Sequence, residues 1–248
     1  MKKTLLMAAA ALAAGIISSQ AQPVYSQNVV GYINVVCPAN QFKLIGNQLD
    51  TGTNTLNNVL NSGLVSNGGS GGTTVSIWNG AGFTTWYYYS PADTAPAPGG
   101  WYDGSGTIYS TNHLDLSKAV FIRNFASTNI TVTLVGTVSQ GTNNYTVTPG
   151  LNFYSQPIPL GGTSLDNTNV NFPATSSLDT YQVWTGTGYG PQYTYYNSLD
   201  SGGAPGWYDA SGTVNESTNA AAWPSVGQGF LVNHHGSTSN WVNTFLVQ

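Results

Sequence analysis

The sequence predicts an all-β protein made of two duplicated β-sandwich-like units packed together without a linker. Three observations carry this. Short β-branched and aromatic runs recur between Gly, Asn, Ser and Pro, the pattern of strands bounded by turns. The second half of the chain repeats motifs of the first in order and at near-constant spacing. Of 248 residues only 6% are charged while 12% are aromatic, with 30 Gly. That composition suits neither a helical bundle nor a disordered chain.

Taken in order, Lys2 and Lys3 precede an apolar stretch from Leu5 to Ile17, and Ser19-Gln20-Ala21 supplies small residues at a cleavage site. Residues 1–21 therefore read as a signal peptide, since the apolar run is shorter than the ~20 residues a spanning helix needs. The expectation is a secreted, extracellular or cell-surface protein, with the periplasm as the other exported compartment. No later segment is apolar and long enough to span a membrane as a helix, and the C-terminal run Trp241–Gln248 reads as a strand rather than a sorting tail. An outer-membrane barrel is possible by length, but the Pro and Gly punctuation and the two-fold repeat fit a soluble pair better.

Strands are expected at Val29–Val36, Thr74–Trp78, Phe83–Tyr89, Ala119–Ile122 and Gly229–Val232. In Ile130–Val135, Ile130, Val132 and Leu134 alternate with Thr131 and Thr133, giving one apolar and one polar face. Asn79-Gly80 and Thr185–Gly188 are turn chemistry, so each Trp-bearing strand should enter a hairpin. Asn54 or Ser164 could cap a helical turn carrying Leu56, Val59 and Leu60, or Leu165 in the second copy. The stretch Asn67–Gly72 is a Gly-rich loop with no counterpart later in the chain.

The repeat is specific. Ile77-Trp78-Asn79-Gly80 returns as Val183-Trp184-Thr185-Gly186, and Trp101-Tyr102-Asp103 returns as Trp207-Tyr208-Asp209, both at an offset of 106 (184 − 78). Phe83, Tyr87 and Tyr89 match Tyr189, Tyr193 and Tyr195 at that same offset. Phe121 aligns with Phe230 and Leu56 with Leu165 at an offset of 109 (230 − 121). Val30-Gly31 resembles Val135-Gly136, which places the units at 22–136 and 137–248.

Composition also limits function. Five Lys and Arg are too few for a general nucleic-acid binder. No nucleophile elbow, metal-binding His-Glu helix or phosphate-cradling loop is present, so the chain reads as non-enzymatic. Cys37 is the lone cysteine, either a small buried apolar residue or one end of an intermolecular bridge. His234 and His235 are adjacent and on a strand would face opposite ways, and these two and His113 read as solvated loop residues.

Two groups of candidate site residues remain. Asp93 and Asp103, then Asp200 and Asp209, flank the two Trp-Tyr-Asp loops. Calcium is the candidate ion, because it takes several carboxylate, hydroxyl and carbonyl oxygens. Turn capping is the preferred explanation, since Asp-Gly-Ser-Gly and Asp-Ala-Ser-Gly suit an Asx turn. No other cofactor is implied. A hydrolase using the Asp pairs would require them to converge in a cleft.

Aromatics at matched positions read as core. Trp86, Tyr88 and Trp223 lack an aligned partner and are the candidate ligand contacts, as a stacking platform for a glycan. The neutral Thr, Ser, Asn and Tyr surface lacks the charges that usually keep sheet edges apart. The leading expectation is thus a structural or adhesive protein, with self-association or a glycan as partner. A carbohydrate-binding module is the alternative, and a secreted hydrolase the third choice.

Val29-Val30-Gly31-Tyr32-Ile33-Asn34, Asn54–Leu60, Ile77-Trp78-Asn79-Gly80 and Thr131–Gly136 carry one further signal. With these the chain resembles uncharacterised secreted β-rich tandem-repeat proteins of verrucomicrobia-like bacteria. The resemblance implies export and a β-rich fold, and it brings no functional residue with it.

Overall fold

The computed structural model describes residues 29–68, 71–174, 178–219 and 222–246, so the expected signal peptide and Gly69-Ser70 of the Gly-rich loop lie outside the described residues. The first unit holds β1 (Val30–Cys37), β2 (Phe42–Gly46), α1 (Leu56–Val59), β3 (Thr74–Trp78), β4 (Phe83–Tyr89), α2 (Pro91–Thr94), β5 (Gly100–Tyr102), β6 (Ala119–Arg123) and β7 (Ile130–Thr137). The second holds β8 (Gly141–Val147), β9 (Gly150–Ser155), β10 (Thr180–Val183), β11 (Tyr193–Tyr196), β12 (Gly206–Tyr208), β13 (Gly229–His234) and β14 (Ser239–Phe245).

Each unit is an antiparallel two-stranded ribbon laid on a five-stranded antiparallel sheet. The ribbons are β1-β7 and β8-β14; the sheets run β2-β6-β3-β4-β5 and β9-β13-β10-β11-β12. The strand order is the same in both copies, so the duplication read from sequence is a duplication of topology. No helix among the described residues is long and apolar enough to cross a membrane.

The alternation in β7 works as expected: Ile130, Val132 and Leu134 are buried while Thr131 and Val135 face outward. Opposite them, β1 buries Ile33, Val35 and Cys37. These ribbon residues close over the inner face of the first sheet, packing with Val75, Trp101, Val120 and Ile122 and with Leu56 and Val59 of α1. The Trp101 indole donates to Leu60 O at 2.7 Å, so the largest side chain of this core is also tied at its polar end. In the second unit Tyr181, Trp207, Trp223, Phe230 and Trp241 fill the equivalent space. Asn79-Gly80 makes the hairpin turn: Asn79 Oδ1 accepts from Ala81 N and Gly82 N, and Gly80 sits at φ 96°.

The helical turn differs from its expected cap. Thr55, not Asn54, occupies the N-cap position and makes no side-chain cap bond. Asn54 is at φ 49°, and its Oδ1 accepts from Thr51 N, building the preceding turn instead. Leu165 is buried without a helix around it.

Register corrects the sequence alignment in three places. Thr74 pairs with Tyr87 and Thr180 with Thr194, so Trp86 is the counterpart of Tyr193 and Tyr88 of Tyr195. Thr74 also pairs with Arg123 and Thr180 with Asn233, which makes Phe121 the counterpart of Leu231, not of Phe230. One extra residue after the second hairpin turn accounts for the first slip, and the register places Phe121 and Leu231 at an offset of 110 rather than 109 (231 − 121); a one-residue slip exchanges the two faces of a strand. The third correction is at the boundary. Gly31 and Gly136 are not equivalent but are partners across the β1-β7 ribbon. A Cβ at Gly136 would lie 2.6 Å from Asp50 O, so the ribbon closes there only on a residue without a side chain.

The outer faces of the two five-stranded sheets meet. Leu44, Ala119 and Phe121 pack against Phe153 and Leu231, flanked by Phe42, Trp78 and Trp184. The contacts are reciprocal. Gly46 N donates to Gly227 O at 3.0 Å, and Ser155 N to Ser117 O at 2.9 Å. Ile45 bridges Gln228 as Tyr154 bridges Lys118. The Trp78 indole donates to Leu151 O at 2.7 Å, and the Trp184 indole to Phe42 O at 3.0 Å. Equivalent residues meet at the centre: a Cβ on Gly46 would stand 2.0 Å from Ser155 Cβ, and one on Gly229 2.4 Å from Ala119 Cβ. This is the pattern of a two-fold interface inside one chain.

Trp184→Phe keeps the ring and deletes a reciprocal donor; it should lower the unfolding free energy by about 1 kcal/mol. Gly46→Ala forces the sheets apart and should lower it by about 1–3 kcal/mol. Urea denaturation with a fixed m-value reads both.

Candidate functional site

The carboxylates of three of the four candidate calcium ligands, Asp93, Asp103 and Asp209, are engaged by turns and local hydroxyls. Asp103 Oδ1 accepts from Thr107 N and Ile108 N, both at 3.1 Å, and its carboxylate from Ser105 Oγ at 2.8 Å. Asp209 repeats this with Thr213 N, Val214 N and Ser211 Oγ. Hydrogen bonds from Ile108 N and Ser105 hold the Asp103 carboxyl below its ordinary value, and those from Ser211 and Val214 N do the same for Asp209. Asp93 accepts from the hydroxyls of Ser66 and Ser90, which lower its carboxyl in the same way. Asp200 sits in a turn where its N–H donates to Asn197 Oδ1 at 3.0 Å. No group of three or more His, Cys, Asp or Glu side chains converges among the described residues.

The candidate glycan contacts belong to the cores. Trp86 and Tyr88 are half-buried against the first core, and Tyr88 meets the Trp101 ring edge-on at 5.6 Å. Their aromatic counterparts Tyr193 and Tyr195 face the second core, which the slipped alignment concealed. Trp223 is buried, with its ring 5.0 Å from Tyr181 and its indole donating to Glu216 O. None of the three forms an exposed stacking platform.

His234 is not a loop residue. It is buried on β13, with Nδ1 2.8 Å from Asp179 Oδ2 and Nε2 3.0 Å from Ser237 O. A carbonyl oxygen only accepts, so Nε2 carries the proton there. His235 N donates to the other Asp179 oxygen at 2.7 Å. Both side chains are fully enclosed, and no nucleophile reaches the imidazole: its second nitrogen is taken by backbone. The pair is a structural tie. In the first unit Asn124 holds the same place, its amide donating to Cys37 O, Pro38 O and Thr128 O. Cys37 is buried, as a small apolar residue of the first core, and that burial pushes its thiol up to about 11.

Among the concave surfaces of the described residues, two bear on function. A groove of about 650 Å³ runs beside the first ribbon, lined by Val30 and Val135 together with Asp50, Asn58 and Asn61. A cleft of about 270 Å³ lies where the two sheets meet, lined by Phe42, Ser76, Phe83, Phe121, Trp184 and Tyr189. Nothing in the sequence pointed to this cleft, because its walls come from distant segments of both units.

Two outcomes follow. The Asp103 and Asp209 carboxyls are depressed below the ordinary 3.8, so their turns contribute in full above that value. The contribution fades as pH falls through the lower folded value. Asp209→Asn should therefore melt earlier than the wild type at pH 7 and level with it in strong acid, while calcium or EDTA shifts neither melting curve. His234→Ala leaves Asp179 enclosed without its ring partner and should lose about 3–5 kcal/mol in urea titrations. His234→Asn, copying the first unit, should recover part of that. Comparison with protein-family models, with curated proteins and with solved structures finds no match to this chain.

Proposed function

We propose that the protein is an exported, non-enzymatic β scaffold with a structural or adhesive role at the cell surface or outside the cell, acting through side-by-side contact between copies. The observation that carries this is the outward face of the first ribbon. Val30, Tyr32, Val36 and Val135 project there with 69, 73, 52 and 55% of their surface exposed. Tyr32 and Val135 are directly opposite across the strands, so they form one patch. The matching face of the second ribbon carries Thr142, Asn144, Thr146, Asn240 and Thr244, with Val242 its one large apolar residue. Two ribbons of the same topology, under the same packing demands, differ on the face that packing does not use. No charged side chain lies on β1 or β7 to oppose approach of a second copy.

The turn-bound carboxylates and the enclosed His234–Asp179 pair support a non-catalytic role. The signal-peptide sequence supports export. The carbohydrate reading loses support with its three aromatic contacts.

The test has two arms. Fractionation of the producing cells should place the protein in the surface or extracellular fraction. Light scattering over a concentration series should show association that Tyr32→Ser combined with Val135→Thr abolishes without moving the melting temperature. A strict monomer at high concentration, or recovery in the cytoplasm, would refute the proposal.

A further inference from the structure

We propose that the cleft between the two sheets is a binding site for an uncharged, flat molecule of about two fused rings. This stands apart from the adhesive reading and uses a different surface. The polar inventory of the cleft sets the ligand class. Ser76 Oγ is paired with Thr85 Oγ1 at 3.0 Å, and the Trp184 indole N–H is spent on Phe42 O. The Tyr189 hydroxyl is the one other polar side-chain group among the lining residues, and no lining side chain is charged. A sugar would bury hydroxyls with nothing to bond them, and an ion would be stripped of water without compensation.

Size and shape narrow the class. An apolar cavity of about 150 Å³ is enough for benzene. The cleft, at about 270 Å³, is nearly twice that. Its walls are rings set edge to face: Phe121 to Trp184 at 5.1 Å and 82°, and Trp184 to Tyr189 at 5.2 Å and 82°. A flat aromatic ligand continues that arrangement with its own edges and faces.

Duplication accounts for Phe83, Trp184 and Tyr189, whose counterparts are also aromatic, but not for the rest of this lining. The counterparts of Phe42, Ser76 and Phe121 are Leu151, Gln182 and Leu231. Gln182 is longer than Ser76, and its amide is folded onto Gly190 O at 3.1 Å. The copy that opens the cleft thus carries the small residue on its floor and the aromatic ones on its walls. Because both units supply walls, a bound ligand bridges them and should raise the stability of the whole chain.

N-phenyl-1-naphthylamine, a neutral fluorescent probe, tests the site on the full-length protein. The expected result is saturable binding at one probe per chain, with quenching of Trp fluorescence and an upward shift of the melting temperature. Ser76→Gln and Phe121→Leu, each installing the residue of the other copy, should weaken binding at least tenfold. Tyr32→Ser, on the ribbon, should leave it unchanged. Non-saturable binding, unaltered binding in both cleft variants, or loss in Tyr32→Ser overturns the proposal. Should both cleft variants fail to fold, a crystal of the wild type soaked in naphthalene decides: density between Phe121 and Trp184 supports the site, and density elsewhere or none removes it.

Discussion

The constraint on which the rest of the molecule depends is that each five-stranded sheet is covered on both faces. One face meets its own ribbon, the other meets the sheet of the partner unit. A sheet in that position has almost no surface on which to place charge near its centre. Leu44, Ala119, Phe121, Phe153 and Leu231 are the residues that satisfy the second face, and the reciprocal indole bonds from Trp78 and Trp184 fix its edges. Low charge, high aromatic content and the absence of a linker between the copies are then one fact seen three ways. A flexible joint would gain nothing where the two units share a core.

The two-fold character of the contact explains which residues sit at its centre. Only there does a position meet its own counterpart, so size at that position counts twice. Gly46 against Ser155 and Ala119 against Gly229 are the result: in each pair one partner is glycine and the other is small. Away from the centre, larger residues interdigitate, and divergence between copies becomes tolerable. Phe42 can face a role that Leu151 fills differently.

Much of this architecture was legible in the sequence. Alternation in Ile130–Val135, the Asn79-Gly80 turn and the Trp-bearing repeats specify strands, hairpins and duplication through local chemistry alone. The site residues were less legible, for a physical reason. Motif matching scores identity, whereas a sheet registers faces, and one inserted residue between hairpin and strand exchanges them. Phe121 and Phe230 look equivalent as letters, yet the first belongs to the shared interface and the second to its own unit's core. The same slip left Trp86 and Tyr88 without aligned aromatic partners and made core residues look like ligand contacts. Asp179 and His234 are invisible to such matching for another reason: they lie 55 residues apart and replace an amide, Asn124, that does the same job with different atoms.

Divergence between copies therefore sorts into two kinds. Where one copy replaces a structural tie by another, as His234–Asp179 replaces the Asn124 amide, the exchange is compensated inside the unit and the fold is unchanged. Where the copies differ with no compensating contact, packing has not demanded the difference. The outer face of the first ribbon, apolar where its twin is polar, is of this second kind. The wall of the cleft at Ser76, where the second copy has Gln182, is of this kind too. Two copies of one fold provide an internal control that a single domain lacks: what both retain is owed to the sheet, and what only one carries on an open surface is free to serve contact with other molecules.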